Sequence, residues 1–263
     1  MPPRPGNRRL LIDATAGLLL VSGVCALFWW VFHSMEKGWA WKSAWEYRQL
    51  LWQGWLTTLG ISVCALPGSC LVAAFLVAGS RAKLSSVRRV TRGFVEIMRG
   101  MPLLTLIFIG YYVIFTQPHI AEVLDRMGLG SKMFSGIALL SVFTAAYLSE
   151  ILRGGLDSIP QGQIDSARAV GFDRVQVLRY VIMPQALRRV LPALAGQFVT
   201  LVKDSSLLSV IAVGEFTYEA RAYNSATFSG LEAFLILGAG YLMITLPIAW
   251  LAHWMEMRFR YQM

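Results

Sequence analysis

The sequence predicts an all-α integral membrane protein, with six transmembrane helices and short cytoplasmic helices between two of them. Three observations predict it. Apolar residues gather in long blocks: 56% of the 263 residues are hydrophobic and only 15% charged, where soluble domains carry roughly a quarter charged residues. Lys and Arg concentrate in alternate gaps between the blocks. One segment, residues 153–190, breaks the apolar pattern with helix caps, a glycine and a proline.

The clearest spans are Leu10–Phe32, Trp55–Gly79 and Ala233–His253, each near the roughly 20 residues that cross a bilayer. Phe134–Ser149 is shorter but uncharged and runs on through Glu150–Leu152. Leu191–Val213 is long enough and carries Lys203 and Asp204. Leu103–Phe115, with 13 residues, is the shortest.

Charge asymmetry settles that short span. With six crossings, 17 of the 24 Lys and Arg fall on one side, in 1–9, 80–101, 153–190 and 255–263. The other side holds six, in 33–53, 118–133 and 214–230, and Lys203 sits within a span. Removing Leu103–Phe115 would put the two richest loops on opposite faces. The positive-inside rule therefore favours six crossings with both termini cytoplasmic. Trp29, Trp30, Trp39, Trp41, Trp45, Trp52 and Trp55 cluster around the first outer loop, at the headgroup depth that Trp prefers.

Met1–Arg9 is basic and Pro-rich, and 23 residues from Leu10 to Phe32 follow it. That run is too long for a cleaved signal core, and no small-x-small site closes it before Phe28-Trp29-Trp30, so it reads as an uncleaved first helix. The organisation is then an N-terminal part, 1–53, with an added helix and outer loop, and a main transmembrane domain, 54–263.

The net charge of +9 lies in loops between apolar blocks rather than on one soluble face, which argues against nucleic acid. Cys25, Cys64 and Cys70 lie inside apolar blocks without C-x-x-C spacing and read as small packing residues, not as a disulfide or metal site. His33, His119 and His253 lack ligand spacing. No nucleophile–base constellation stands out, and Gly128-Leu-Gly-Ser-Lys lacks the length and final hydroxyl of a phosphate-binding loop.

Within Ser158–Pro192, Ser158 and Gln161 have capping-box spacing and Pro160 suits a first helical turn. Gly171 can stop that helix in a left-handed cap. Asp173 can cap a second helix through Arg174–Val181, which Pro184 interrupts or kinks. Such a pair could fit a partner's groove, or simply connect two spans.

These residues carry a resemblance. Asp165-Ser166-Ala167, three residues, Gly171, nine residues, then Val181-Ile182-Met183-Pro184 resembles the EAA loop of bacterial ABC importer permeases, E-A-A, three residues, Gly, nine residues, I-x-L-P. Glu96-Ile-Met-Arg-Gly-Met-Pro-Leu-Leu, Tyr147-Leu-Ser-Glu-Ile-Leu-Arg-Gly-Gly, Pro184-Gln-Ala and Lys203-Asp-Ser-Ser-Leu are similar to further segments of the polar amino acid branch, the histidine, glutamine, arginine and glutamate type permeases. Met101 replaces that branch's usual Thr, and Leu10–Phe32 is a helix that the five-span members lack.

The resemblance implies a permease that moves a polar amino acid across the inner membrane by alternating access. It implies cytoplasmic coupling helices in which Asp165, Ser166, Ala167, Gly171 and Pro184 engage a separate pair of ATP-binding subunits. ATP and Mg would bind there, with no cofactor on this chain. Other implied partners are a second permease copy or a homologous permease, a periplasmic or lipid-anchored solute-binding protein, and membrane lipid.

Ionisable residues inside spans are functional candidates. Glu96, Arg99, Glu150, Lys203 and Asp204 are the candidates for a translocation path or gate. Glu150 and Arg153 are three apart and can pair locally. Lys203 and Asp204 point to different sides and need other partners, with Glu96, Glu150 or Arg99 as candidates. Gly100-Met101-Pro102 reads as an elbow before the short span, with a substrate-coordinating broken helix as the other reading. Gly110, Gly136, Gly238 and Gly240 allow close helix contact. Alternatives to an amino-acid permease are an ABC permease for another small solute, a secondary transporter, or a non-transporting membrane subunit.

Overall fold

A computed structural model describes residues 7–33, 41–128 and 132–260. Met1–Gly6, Trp39 and the last three residues lie outside the described set, as does the side chain of Asp13. The chain divides into two units, Met1–Trp41 and Lys42–Met263.

Among the described residues the first unit holds one long helix, α1 (Asn7–His33), which contains the expected first apolar run. Its described side chains are all exposed, including Leu18, Leu19, Val21 and Leu27. The helix forms because 27 residues contain no Pro and few β-branched neighbours in sequence.

The second unit begins within the short α2 (Trp41–Glu46), and the long α3 (Arg48–Ser80) follows. Next comes α4 (Ser85–Gly100), then α5 (Leu103–Phe108), which widens into π turns at Ile109–Phe115. The short α6 (Pro118–Arg126) precedes α7 (Lys132–Asp157). α8 (Gln161–Ala169) and α9 (Arg174–Gln176) follow, with π turns at Val177–Ile182 leading into α10 (Met183–Asp204). A 3₁₀ segment (Ser205–Ile211), α11 (Phe216–Thr227) and α12 (Gly230–Arg260) complete the unit.

Among the described residues, four helical stretches are long and apolar enough to cross a membrane: 48–80, 132–157, 174–211 and 230–258. A fifth is available if α4 and the α5 arm count as one span, but they meet at 112°. Met101 takes an extended conformation there, and Pro102 cannot donate the helical hydrogen bond. This is the elbow that Gly100-Met101-Pro102 leads one to expect.

α3 and α7 form the centre. One face of α3 carries Thr58, Ser62, Ala65, Ser69 and Ala73, all fully buried. Their spacing of three and four puts these small residues on one stripe, and small residues let membrane helices approach closely. Hydroxyls that would be orphaned there are satisfied locally: Ser62 Oγ donates to Thr58 O at 2.8 Å and Ser69 Oγ to Ala65 O at 2.7 Å. Ser141 Oγ of α7 crosses to Ala65 O at 3.2 Å. Ile61, Ile107, Leu140, Leu201 and Leu208 close the core around this seam.

A second cluster lies at the N-terminal end of α3, where Phe216, Ala220 and Tyr223 of α11 meet Leu51 and Ala233. Trp55 Nε1 donates to Gly240 O at 3.0 Å, and a Cβ on Gly240 would collide with Phe216. Gly110 and Gly136 are likewise covered, by Leu139 and Leu208. Gly238 has nothing near its missing Cβ, so it is not one of the close-contact glycines. The cysteines also differ from expectation. Cys64 and Cys70 are exposed, on the outer side of α3 away from its packed stripe, because their positions fall out of phase with that stripe.

Candidate functional site

The hairpin follows α7 directly. Ser158 does not cap α8: its Oγ donates back to Gly155 O at 2.6 Å, and Pro160 occupies the N-cap position. The expected capping box is absent because Ser158 lies two residues before that cap. The far end of α8 is as expected. Gly171 sits at φ +94°. Its N–H reaches Arg168 O at 3.0 Å, and Phe172 N–H reaches Ala167 O at 3.1 Å. Those two bonds define a Schellman cap, which needs a left-handed residue at this position.

Asp173 caps the second arm. Its carboxylate accepts from Val175 N and Gln176 N, while the Gln176 side chain accepts from Asp173 N at 2.8 Å. This reciprocal pair is a capping box. Pro184 does not end the helix that follows. The backbone widens into π turns over Val177–Ile182 and runs on through α10. Pro184 has no N–H to offer the preceding turn, and Gln185 Nε2 instead donates to Val181 O at 3.0 Å. The second arm and the next span are therefore one helix, not two.

Two bonds fasten α8 and the turn before it to that helix. Gln185 Nε2 donates to Gln163 Oε1 at 2.7 Å, and Arg189 Nη1 donates to Ser158 O at 2.8 Å. Ala167 and Val177 are buried between the arms. Asp165, Ser166, Gly171 and Pro184 are exposed. Asp165 receives Gln161 Nε2 at 3.0 Å and lies 3.6 Å from Arg168. Ala167 thus holds the hairpin together, while Asp165 and Ser166 face outward.

The sequence reading missed the apolar tip. Val170, Phe172, Val175, Leu178 and Tyr180 are exposed around the glycine turn. Exposed apolar residues gathered this closely around one turn form a candidate contact surface. Their signal was present as five large apolar residues in a segment otherwise read for its polar motif.

At the same end of α7 lies a cleft of about 300 Å³ lined by Arg92, Glu96, Arg99, Ser149, Glu150 and Arg153. Arg153 reaches Glu150 through Nε at 3.0 Å and Nη2 at 2.7 Å. Arg99 lies 3.4 Å from the same carboxylate. It also sits over the Tyr147 ring at 5.5 Å. Arg153 continues to Asp157 at 3.4 Å, and Asp157 pairs with Arg81. A chain of charges therefore ties α4 and the end of α3 to α7. Each half-exposed pair contributes roughly 0–1 kcal/mol, so the network can open without unfolding the helices.

Glu96, Arg99 and Glu150 are thus brought together. Lys203 and Asp204 are not among them. Lys203 is exposed and lines a separate cleft of about 830 Å³ between α10 and α12, with Arg188, Thr200, His253 and Glu256. Of the partners considered for Lys203 and Asp204, Glu150 and Arg99 pair with each other and Glu96 lines their cleft, because α10 presents Lys203 to α12 rather than to α4.

Glu215 was not singled out from sequence. It is fully buried and caps α11. Its oxygens accept from Thr217 N at 2.9 Å, Tyr218 N at 2.8 Å, Tyr241 Oη at 3.0 Å and Thr58 Oγ1 at 3.3 Å. Burial pushes the carboxyl pKa up, and these four donors pull it back. One carboxylate therefore joins α3, α11 and α12 at the end opposite the hairpin.

A membrane-spanning helical bundle with a capped hairpin, an apolar hairpin tip and polar clefts defines a transport-type membrane subunit. Residues 70–261 match the model of the binding-protein-dependent transport system inner membrane component family, and the chain belongs to that family. A probable glutamine ABC transporter permease protein of Bacillus subtilis (strain 168) is 34% identical over 81% of this chain and 95% of its own length. The nopaline transport system permease protein of Agrobacterium fabrum is 36% identical, covering 75% and 84%. The fold matches an amino acid ABC transporter crystallised with histidines, at TM-score 0.72 and 28% identity, over 85% of this chain and all of that one.

Proposed function

We propose that this chain is the permease subunit of an ABC importer carrying a polar amino acid across the inner membrane by alternating access. The observation that supports it best is the hairpin. A glycine-turned pair of arms with an exposed apolar tip belongs to a chain whose relatives include permeases named for glutamine.

In this reading the chain crosses six times, with α1 as the added crossing and both termini cytoplasmic. The main transmembrane domain runs over 54–263. The hairpin docks on a separate ATP-binding subunit pair, where ATP and Mg bind, with Asp165, Ser166, Gly171 and the apolar tip at the contact. Ala167 and Pro184 set the shape of the docked arms. A second permease, identical or homologous, completes the path, and a solute-binding protein delivers substrate to the opposite face. Glu96, Arg99 and Glu150 act as a charge latch near the cytoplasmic mouth. Lys203, with Asp204 beside it, belongs to the path between permeases. A charged side chain exposed on a span is costly in lipid, and a polar path removes that cost.

The nopaline and octopine permeases among the relatives favour a second reading, a permease for another small solute. One experiment separates the two. The chain is reconstituted with its co-encoded ATPase and binding protein, and ATPase stimulation is measured with a panel of polar amino acids, nopaline and octopine. Stimulation by a polar amino acid alone supports the first reading. Stimulation by an opine alone supports the second, and none by any of the polar amino acids sinks the first.

A further inference from the structure

The α4 elbow is more basic and more apolar than a connector needs to be. Residues 81–100 hold six Lys and Arg against one acidic residue, Glu96. Arg81 and Arg99 are committed to Asp157 and Glu150, and Arg88 donates to Ala82 O and Lys83 O. Lys83 and Arg89 are exposed and form no ion pair among the described residues, while Arg92 turns toward the cleft that holds Glu150.

The apolar residues of α4 fall on another face. Val87, Val90, Phe94 and Ile97 recur at the helical period, and Val90 and Ile97 are well exposed. Buried Val95 and half-buried Thr91 take up the face toward α3, where a Cβ on Gly79 would meet Thr91. Beneath the elbow, Phe94 and Met98 line a cleft of about 360 Å³ with Leu106, Gly110, Leu139 and Val142. The 112° bend turns α4 nearly across the direction of the apolar arm. The basic face therefore rides above an apolar stripe and an apolar cleft.

That layering matches the cross-section of a membrane surface. A helix with cations on one face and apolar residues on the other lies at the boundary between headgroups and acyl chains, and long basic side chains reach outward to the phosphates. We propose that α4 and the cleft under it form a site for one anionic phospholipid. An acyl chain would fill the cleft beside Phe94 and Val142, and the phosphate would rest on Arg89 with Lys83 near it. Charge complementarity selects an anionic headgroup over a zwitterionic one. The cleft selects an intact lipid over a free phosphate.

The test is native mass spectrometry of the full chain in its assembled complex, titrated with phosphatidylglycerol, phosphatidylcholine of the same chains, or glycerol phosphate. Phosphatidylglycerol should be retained in preference to phosphatidylcholine, and glycerol phosphate should not be retained. A cation near an anionic lipid surface is worth about fivefold in affinity. The double variant Lys83→Gln/Arg89→Gln should therefore weaken phosphatidylglycerol about twenty-fivefold and leave phosphatidylcholine unchanged. Val142→Trp, which fills the cleft, should weaken both lipids. Equal binding of the two lipids would overturn the proposal, as would binding of glycerol phosphate as tight as the lipid. So would a Val142→Trp complex of unchanged thermal stability that keeps its lipid, because the lipid would then be held outside the cleft.

Discussion

Gln185 donates to Gln163 at 2.7 Å across the hairpin while also donating to Val181 O of its own helix. One amide group therefore joins α8 to the helix that continues into the membrane. Removing either side chain leaves α8 held by Arg189 on Ser158 O and by the burial of Ala167. A hydrogen bond of this kind contributes about 1 kcal/mol. Gln163→Ala and Gln185→Ala should each lower substrate-stimulated ATPase activity severalfold in proteoliposomes, with normal assembly. The double variant should do no more harm than one alone. Additive losses would show that the two side chains act separately.

Gly171 tests the turn. At φ +94° an alanine there costs roughly 1–2 kcal/mol, and the tip carrying Val170 and Phe172 would be re-aimed. Gly171→Ala should reduce transport with little loss of the complex on gel filtration, and Gly171→Asn should be milder because Asn tolerates left-handed backbone. If alanine and asparagine are equally active, the turn conformation does not matter for coupling.

The Arg99–Glu150 contact makes a different prediction. Glu150 receives both Arg99 and Arg153, so Glu150→Gln releases the elbow and its neighbour together. Arg99→Gln releases only the elbow. We expect Glu150→Gln to raise ATP turnover without substrate and to depress uptake, and Arg99→Gln to do the same more weakly. Spin-label distances between α4 and α7 should broaden in both. Unbroadened distances would remove the latch from the mechanism.

Glu215 predicts a stability loss at the opposite end. Glu215→Ala strands two backbone N–H groups and the Thr58 hydroxyl, while Tyr241 keeps Thr217 Oγ1 as a partner, and each buried donor without a partner costs about 1–3 kcal/mol. The melting temperature in detergent should fall by several degrees. Glu215→Gln, which keeps an acceptor, should fall less. Similar melting temperatures for the wild type and Glu215→Ala would mean that water replaces the lost carboxylate.

The parts legible in the sequence were those with local causes. Gly171 and Asp173 act through bonds two to five residues away, so their caps could be read from spacing. Glu150 and Arg153 meet because three residues on a helix bring them together. The α3 stripe of Ser62, Ala65, Ser69 and Ala73 was less visible, since small residues inside an apolar block look like any other span. Glu215 was hidden for another reason: its partners Thr58 and Tyr241 lie 157 and 26 residues away, and only the folded bundle assembles them. Lys203 was placed near the wrong carboxylates because sequence gives its helix but not the direction the helix faces.

The absence of a break between Asp173 and α10 has a consequence for spacing. The chain turns by about 100° per residue in a helix, so the interval from Gly171 to Pro184 sets an angular phase. One residue inserted there would leave both caps intact and yet rotate every side chain beyond it, carrying Lys203 out of the cleft beside His253. The fixed count between glycine and proline is thus a dial as well as a signature: it sets which way the rest of the helix looks.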